Sequence, residues 1–551
     1  MLVTVDIEQK TIGNKQLFSG LRVAIERREK VAIIGRNGVG KTTLFGMLTG
    51  QDTDYAGSIV LQPGASMIAT AQEHGGVGSI TVLDYILSRL PEYSRLKHII
   101  DTYSETMGDN VRKISVFSEA LERFGGLDYY TVEDKIHQAL EAYQLRGAAS
   151  KPLASLSGGQ KRFVELICVE LARADLALID EPTNHMDYVA KAAFLEWFKV
   201  VKQTVVVISH DRDVLHNVDR IIEIKNGGAM NFKGNYRAYL KQNTETATTQ
   251  MHDYDIALRT LENLHKQIQS VRAKKASTGK SPNPFIPLEK RLQKQYDEVK
   301  ANLVEPDFWI DRESAENLNK KVGDNYEKFK SKNMRLHETS NHTQHRELLR
   351  VENLQLGYGD RPLFAPLNFQ LNHRDRLQLV GRNGAGKTTL VRAIADAARG
   401  ERSKTWRAGS IFPDKGLRLS VYEQEAGAEL LELALYDAIE LIYRRLDVAY
   451  GEQAIMRTMS NYLFNPYEDR YTLVRNLSGG QKARLQIIQM LAGNPNLLIL
   501  DEPTNHLDLP SIEELENALH SYTGALLYVS HDSYLAEHLG SNKLEIENTS
   551  A

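Results

Sequence analysis

The chain reads as a tandem α/β protein: two phosphate-loop domains, each a mixed, mostly parallel sheet flanked by helices and carrying a helical subdomain, joined by a long α-helical hairpin linker. Three observations carry that reading. The glycine-rich stretch Gly35-Arg36-Asn37-Gly38-Val39-Gly40-Lys41-Thr42-Thr43 returns almost unchanged as Gly381-Arg382-Asn383-Gly384-Ala385-Gly386-Lys387-Thr388-Thr389. Residues 2–50 align without gaps to 348–396 at an offset of 346, and 156–210 align to 477–531 at an offset of 321. Between the halves, 236–345 is long, charged and rich in helix formers.

Length and composition set the frame. At 551 residues, with 42% hydrophobic and 25% charged, the chain exceeds one ordinary domain and has an ordinary globular balance. No apolar run approaches the roughly 18 residues a membrane span needs and the N-terminus shows no signal pattern, so a cytoplasmic location without a membrane is expected. The single cysteine, Cys168, excludes an internal disulfide framework and a cysteine-ligated metal; its apolar helical neighbours place it in a core. A net charge of −3 says little about partners, because distribution matters more than the sum.

Both glycine-rich loops fit G-x-x-x-x-G-K-[ST], and both follow apolar runs, Val31-Ala32-Ile33-Ile34 and Leu377-Gln378-Leu379-Val380, that read as buried strands. Glycines let successive amides turn toward phosphate oxygens, and the next helix adds its positive end. Gly35, Asn37, Gly38, Gly40, Lys41, Thr42 and Thr43, with Gly381, Asn383, Gly384, Gly386, Lys387, Thr388 and Thr389, are therefore candidate ATP-binding residues. Lys41 and Lys387 suit the β- and γ-phosphates; the Thr42 and Thr388 hydroxyls suit Mg2+.

Further along, Leu156-Ser157-Gly158-Gly159-Gln160 and Leu477-Ser478-Gly479-Gly480-Gln481 each open a helical pattern, where serine and glycine offer a hydroxyl and amides to an anion. Leu176-Ala177-Leu178-Ile179-Asp180-Glu181 and Leu497-Leu498-Ile499-Leu500-Asp501-Glu502 read as buried strands ending in paired carboxylates. Strand alternation would send the two acids to opposite sides, Asp180 and Asp501 toward Mg2+, Glu181 and Glu502 toward the attacking water. His210 and His531 end another pair of strands, placed to sense the γ-phosphate.

The halves differ in one segment. Between Gln72 and Ser157 there are 85 positions, against 54 between Gln424 and Ser478, which places an insertion of about 31 residues near 88–120. Pro91, Tyr93, Arg95, Lys97, Arg112 and Lys113 suit either a small basic helical arm or an enlarged ordinary subdomain.

In the linker, Leu258, Leu261, Leu264, Ile268 and Val271 recur at helical steps, a breaker follows at 278–284, a short helix is expected over 288–303 and a second long helix over 314–336. The long helices would pack antiparallel around a tip at about 278–312. From Lys266 to Lys294 there are eight basic residues and one acid, Glu289. Lys274, Lys275, Lys280, Phe285, Lys290, Arg291, Lys294 and Trp309 are candidate RNA contacts, since basic groups pair with phosphates and aromatics stack on bases. The alternative is a solvated hairpin whose aromatics pack on its own stem.

With these motifs the chain resembles an ATP-binding cassette ATPase, and specifically the ABC-F family. Walker A, the LSGGQ signature, Walker B and the switch histidine occur in both halves; Glu181-Pro182-Thr183-Asn184-His185-Met186-Asp187 and Glu502-Pro503-Thr504-Asn505-His506-Leu507-Asp508 resemble its E-P-T-N-H-L-D run. Gln72-Glu73 and Gln424-Glu425 resemble its Q-loops, which implies nucleotide and Mg2+ contacts for Gln72 and Gln424. The resemblance implies ATP hydrolysis by halves that close head to tail. Lys41, Gln72, Asp180, Glu181 and His210 would work with Ser478 and Gly480 across the interface; Lys387, Gln424, Asp501, Glu502 and His531 would work with Ser157 and Gly159, and Gly158, Gln160, Gly479 and Gln481 join them as ATP-binding candidates. Tyr358 takes the place of the family's adenine-stacking ring, but its aligned counterpart is Ile12.

The domains expected are 1–235, 236–345 and 346–551. The family implies a monomer with an intramolecular cassette pair that binds the ribosome at its exit (E) site region, touches rRNA and P-site tRNA, and directs its linker toward the peptidyl-transferase centre. Ribosomal protection against antibiotics is the leading role, with housekeeping translation control the alternative. A transporter ATPase subunit and a DNA-repair ATPase are the readings from other classes.

Overall fold

The computed structural model describes residues 1–13, 15–70, 79–106, 108–184, 186–277, 285–301, 303, 346–359, 361–422, 428–462, 464–477, 479–505 and 507–547. Gln72, Gln424, Ser478, Lys280, Trp309 and the helix expected over 314–336 lie outside the described residues, as does the side chain of Lys275. The chain forms two compact units, Met1–Tyr236 with Met334–Ala551, and Arg237–Asn333.

In the first half the strands are β1 (Val3–Ile12), β2 (Lys15–Ile25), β3 (Lys30–Ile34), β4 (Ala56–Leu61), β5 (Met67–Ala69), β6 (Leu176–Asp180), β7 (Thr204–Ile208), β8 (Arg220–Lys225) and β9 (Gly228–Lys233). β2-β1-β4 make an antiparallel sheet; β5-β6-β7-β3-β8-β9 make a second, parallel except where β8 meets β9. Sequence pattern explains which is which. At its start β1 alternates, Val3, Val5 and Ile7 inward and Thr4 outward, as a strand covered on one face must. β6 and β7 are buried at every residue and apolar but for Asp180 and Thr204 at their ends, as parallel strands covered on both faces must be.

The core lies between these sheets. Ile7, Phe18 and Leu21 from the antiparallel layer meet Val31, Leu178 and Val206 from the parallel one, with Leu44 of helix Lys41–Leu48 between them. Each such fully buried side chain contributes about 1.5–3 kcal/mol of transfer free energy. Cys168 is fully buried on helix Gly158–Ala172.

The second half repeats the plan. Its strands are β10 (Glu347–Tyr358), β11 (Arg361–Pro362), β12 (Leu367–Asn372), β13 (Arg376–Val380), β14 (Trp406–Pro413), β15 (Leu419–Tyr422), β16 (Leu497–Asp501), β17 (Ala525–Val529) and β18 (Asn542–Glu545). β15-β16-β17-β13-β18 is parallel at every pairing, and β10 carries β11, β12 and β14 antiparallel. A helical subdomain packs Ile439, Ile442 and Ile455 on Leu485 and Ile488 of helix Gly479–Leu491, the helix that carries the signature glycines.

Where the first half is longer, two helices, Tyr93–Thr106 and Val111–Gly126, pack on each other. The pair runs beyond the 88–120 read from the length difference. Tyr93, Phe124 and Tyr129 gather with centroids 5.3–5.7 Å apart, and this contact carries the second helix through Arg123, which pairs with Glu92 at 2.9 Å.

The other unit holds helix Tyr236–Ser277 from Arg237 onward, then helix Phe285–Ala301. The second begins three residues before the expected 288, because Pro287 falls in its first turn, where a missing N–H breaks no helical hydrogen bond. Ile268, Val271 and Leu292 are buried between the two helices, with Leu264, Phe285 and Tyr296 against them. An Arg272–Glu289 pair at 2.9 Å closes the edge.

Candidate functional site

Each glycine-rich loop is shaped by close approach. Gly40 has φ 102°, and a Cβ there would stand 2.7 Å from Cζ of the buried Phe18. Gly35 has φ 148°, and a Cβ would meet the Ile224 carbonyl oxygen at 2.6 Å. Any other residue at either place would strain the turn and push the core aside. Gly38, Gly384 and Gly386 also take positive φ.

Helices Lys41–Leu48 and Lys387–Ala398 start at the lysines themselves, so Thr42, Thr43, Thr388 and Thr389 occupy first turns, whose amides point toward where an anion would sit. The lysine heads fold back onto their own loops: Lys41 Nζ donates to the carbonyls of Gly35 at 2.7 Å and Arg36 at 3.1 Å, and Lys387 Nζ to Gly381 and Arg382 at the same distances. Burial pulls both lysine pKa values down from the ordinary range. A phosphate would restore the lost solvation.

Thr42 Oγ1 donates to Asp180 Oδ2 at 3.1 Å, and the Asp180 amide is held by Thr70 Oγ1 at 3.1 Å. A hydroxyl and a carboxylate side by side are the hard oxygen donors Mg2+ takes, so the residues present fit that ion.

The paired acids diverge for a reason the sequence did not show. β6 and β16 end at Asp180 and Asp501; Glu181 and Glu502 lie beyond, in the left-handed region at φ 45° and 48°. Their side chains are re-aimed by a sharp turn instead of strand alternation. That turn costs each non-glycine residue about 1–2 kcal/mol. Ladder bonds hold it, Glu181 N to Ile208 O at 2.8 Å and Glu502 N to Val529 O at 2.9 Å. Backbone strain of this kind clusters at functional sites.

The turn brings Glu181 Oε1 within 3.2 Å of His210 Nε2, and Glu502 Oε1 within 3.2 Å of His531 Nε2. Burial first, then repulsion from Asp180, raises Glu181 to about 8 against the pull of Lys41. Burial raises Glu502 to about 7, opposed by Lys387 and aided by Asp501. Burial and the neighbouring lysine lower His210 to about 3 and His531 to about 4. Near neutral pH both histidines are uncharged. His210 Nδ1 is buried with no hydrogen-bond partner among the described residues.

The halves meet at reciprocal contacts. Asp508 Oδ2 accepts from the Asn37 amide at 2.9 Å, and Asp187 Oδ2 accepts from the Asn383 amide at 3.1 Å. Each aspartate also caps its own following helix, Asp187 through the Ala190 amide and Asp508 through that of Ser511. Neither was singled out as a site residue; the sequence carries a capping signal there, but nothing that reveals the cross-half reach. A cavity of about 600 Å3 lies along this junction, lined by Ile12, Lys41, Glu181, His210, Glu502 and His531 among others. The cavity thus gathers the first phosphate loop with acids and switch histidines of both halves.

Other predicted residues stand apart. Ser157 caps helix Gly158–Ala172 and forms a reciprocal box with Gln160, so Gln160 is engaged locally while Ser157 and Gly158 are exposed. Gly479, Gly480 and Gln481 start helix Gly479–Leu491. Tyr358 is 62% exposed on β10, whereas Ile12 lines the cavity. In the linker unit Lys274, Lys290, Arg291 and Lys294 are exposed, and Phe285 is half-buried against its own stem. Among the described residues no helix is long and apolar enough to cross a membrane.

The family model described as ABC transporter matches residues 18–184 and 364–505, more than half of the chain; a second model of the same description matches 222–302. The chain belongs to the ABC transporter family. It is an ABC-F type ATPase built from two tandem cassettes, and it hydrolyses ATP. It is 27% identical over 557 residues to "Putative ATP-binding protein YdiF" of Bacillus subtilis, covering 100% of this chain and 80% of that protein. It is 27% identical over 541 residues to "ABC transporter F family member 2" of Arabidopsis thaliana, covering 95% and 73%. In fold it is similar to a chain in the crystal structure of archaeal ribosomal stalk protein aP1 with archaeal ribosome recycling factor aABCE1, at TM-score 0.54 and 14% identity, covering 96% and 84%.

Proposed function

We propose that this ABC-F ATPase works on the ribosome, gripping it when ATP closes the two cassettes and releasing it after hydrolysis. The observation that carries the reading is the reciprocal contact of Asp187 with Asn383 and Asp508 with Asn37: each phosphate loop is tied to the other cassette, so nucleotide in either site acts on both. A structural neighbour described with a ribosomal stalk protein supports it, as does the row of exposed cations Lys274, Lys290, Arg291 and Lys294.

At each site Lys41 or Lys387 would turn from its loop carbonyls to the β- and γ-phosphates. Thr42 with Asp180, and Thr388 with Asp501, would hold Mg2+, joined by Gln72 and Gln424, and the ion would neutralise charge on the phosphate oxygens. Glu181 and Glu502, with pKa values lifted toward the working pH, suit proton abstraction from the attacking water. His210 and His531 orient them. Ser157 and Ser478, with the glycines after them, would complete the site of the opposite cassette, and Tyr358 would stack on adenine in the second.

On the ribosome we place the protein near the exit site, with the linker directed toward the peptidyl-transferase centre and its RNA and P-site tRNA. Protection against antibiotics that bind there is the role we favour, because the linker carries exposed cations and the first cassette carries a helix pair with no equivalent length in the second. Reversing Lys274, Lys290, Arg291 and Lys294 to glutamate tests the RNA interaction. Ribosome affinity should fall and its salt dependence flatten by about one unit of slope for each phosphate no longer neutralised; unchanged affinity would refute the interaction. Expression in a susceptible strain should raise the inhibitory concentration of a peptidyl-transferase drug, and deletion of 280–310 should remove that effect while ATPase activity persists. Unaltered susceptibility would return the protein to general translation control.

A further inference from the structure

One cation lies between the two switch histidines. Lys191 sits on helix Tyr188–Val200, one turn after Asp187, and is 7% exposed. Its ammonium has three donors, and three acceptors surround it: Asp211 Oδ2 at 2.8 Å, Asp213 Oδ2 at 2.7 Å and, in the other cassette, the His531 carbonyl at 3.4 Å. Asp213 Oδ2 also accepts from Ser533 Oγ of that cassette at 2.8 Å. Asp211 follows His210 directly, and Ser533 lies two residues after His531. The ammonium and its two carboxylates therefore join both switch segments.

This arrangement is one-sided. The offset of 321 that superposes the two halves in this region places Ile512 opposite Lys191 and Tyr534 opposite Asp213. Lys191 and Ile512 both line the cavity along the junction. So the lysine has no copy at the equivalent position; the second cassette's helix reaches the first switch segment by another contact, Glu516 and Glu513 on Arg212.

We propose that Lys191 is a positioning residue shared by the two ATP sites, tying the His210 and His531 segments together so that nucleotide in one site changes the affinity of the other. The physical reason is the balance around the ammonium. Asp211 and Asp213 are held by a single cation, and any movement of His210 that shifts Asp211 must shift Lys191 against the His531 carbonyl or Asp213 against Ser533. The Ile512 side chain offers no charge or hydrogen bond; its helix touches the first switch segment at Arg212 through Glu516 and, among the described residues, makes no lysine-type contact with a histidine carbonyl. The inference rests on ATP use by both cassettes and is independent of any role on the ribosome.

Calorimetry tests it. In the full-length E181Q/E502Q protein, ATP titration gives the affinity of the second site with the first one filled; adding K41A gives it with the first one disabled, and the ratio is the coupling. We expect a coupling of about tenfold, within the usual range for linked sites. Replacing Lys191 with methionine should lower that ratio by more than about threefold, and K191R should retain it. A ratio unchanged within that factor in a K191M protein that melts with its parent overturns the proposal, as does a drop in K191R equal to that in K191M. If K191M lowers the melting temperature, Ser533→Ala decides: this exposed hydroxyl is cheap to remove, and its removal should reduce the coupling by more than about twofold, while no reduction rejects the bridge.

Discussion

Replacing Glu181 with glutamine should stabilise the nucleotide-free protein, and more so at pH 8 than at pH 5. Burial and Asp180 lift this carboxyl from 4.5 to about 8. Between those values the folded state keeps a proton that the unfolded chain releases, so stability falls as pH rises through the window and the penalty is complete above pH 8. At about 1.36 kcal/mol per pH unit the ceiling is near ~5 kcal/mol, and it is a ceiling because 20% of the side chain still meets water. Glutamine carries no charge to bury, so E181Q escapes the penalty. For a domain of about 200 residues each kcal/mol moves the melting temperature by roughly 2–4 °C. Melting curves in chelator, without nucleotide, at pH 5 and pH 8 measure the effect. A gain for E181Q that is no larger at pH 8 than at pH 5, or a lower melting temperature at pH 8, would refute the burial argument. The same experiment on E502Q should give a smaller gain, since Glu502 rises only to about 7.

Three further outcomes follow from the geometry. Asp508→Ala removes both a helix cap and the acceptor for the Asn37 amide, so it should cost about 1–2 kcal/mol in denaturant titration, while D508N, which keeps a capping oxygen, should cost less. Arg212→Met should destabilise by about 3–5 kcal/mol, because it strands Glu516, its bidentate partner at 2.7 and 3.0 Å, and Glu513; the double variant R212M/E516M should recover part of that stability, as buried pairs replaced by apolar groups commonly do. Tyr358→Ala should weaken ATP at the second site by about tenfold if its ring stacks on adenine, and I12Y should tighten the first site, both read by nucleotide titration.

What the sequence revealed and what it withheld divides by distance along the chain. Strand, loop and helix order around Lys41 and Lys387 was legible because a turn, a phosphate loop and a helix start are local and each leaves its mark within about ten residues. The signature serine was legible as a helix start, and Ser157 is indeed a cap. The re-aiming of Glu181 and Glu502 was not, because a left-handed turn at a glutamate has no compositional signal; ladder bonds from β7 and β17 impose it. Asp508 to Asn37, Arg212 to Glu516 and Lys191 to His531 were invisible for a different reason. Each joins residues more than 300 positions apart, and only the way the cassettes face one another brings them together. Phe285 illustrates a choice the sequence left open: its ring packs with Ile268, Val271 and Leu292 in the stem, while Lys290, Arg291 and Lys294 on the same helix are exposed.

The central claim, that ATP closes the cassette pair into a state that holds the ribosome, is tested most directly by co-sedimentation of the E181Q/E502Q protein with ribosomes in ATP and in ADP. With both proposed bases replaced the ATP state should persist, so the account predicts strong enrichment of the protein in the ribosome pellet with ATP and little with ADP. Equal recovery in the two nucleotides, or none in either, would contradict it.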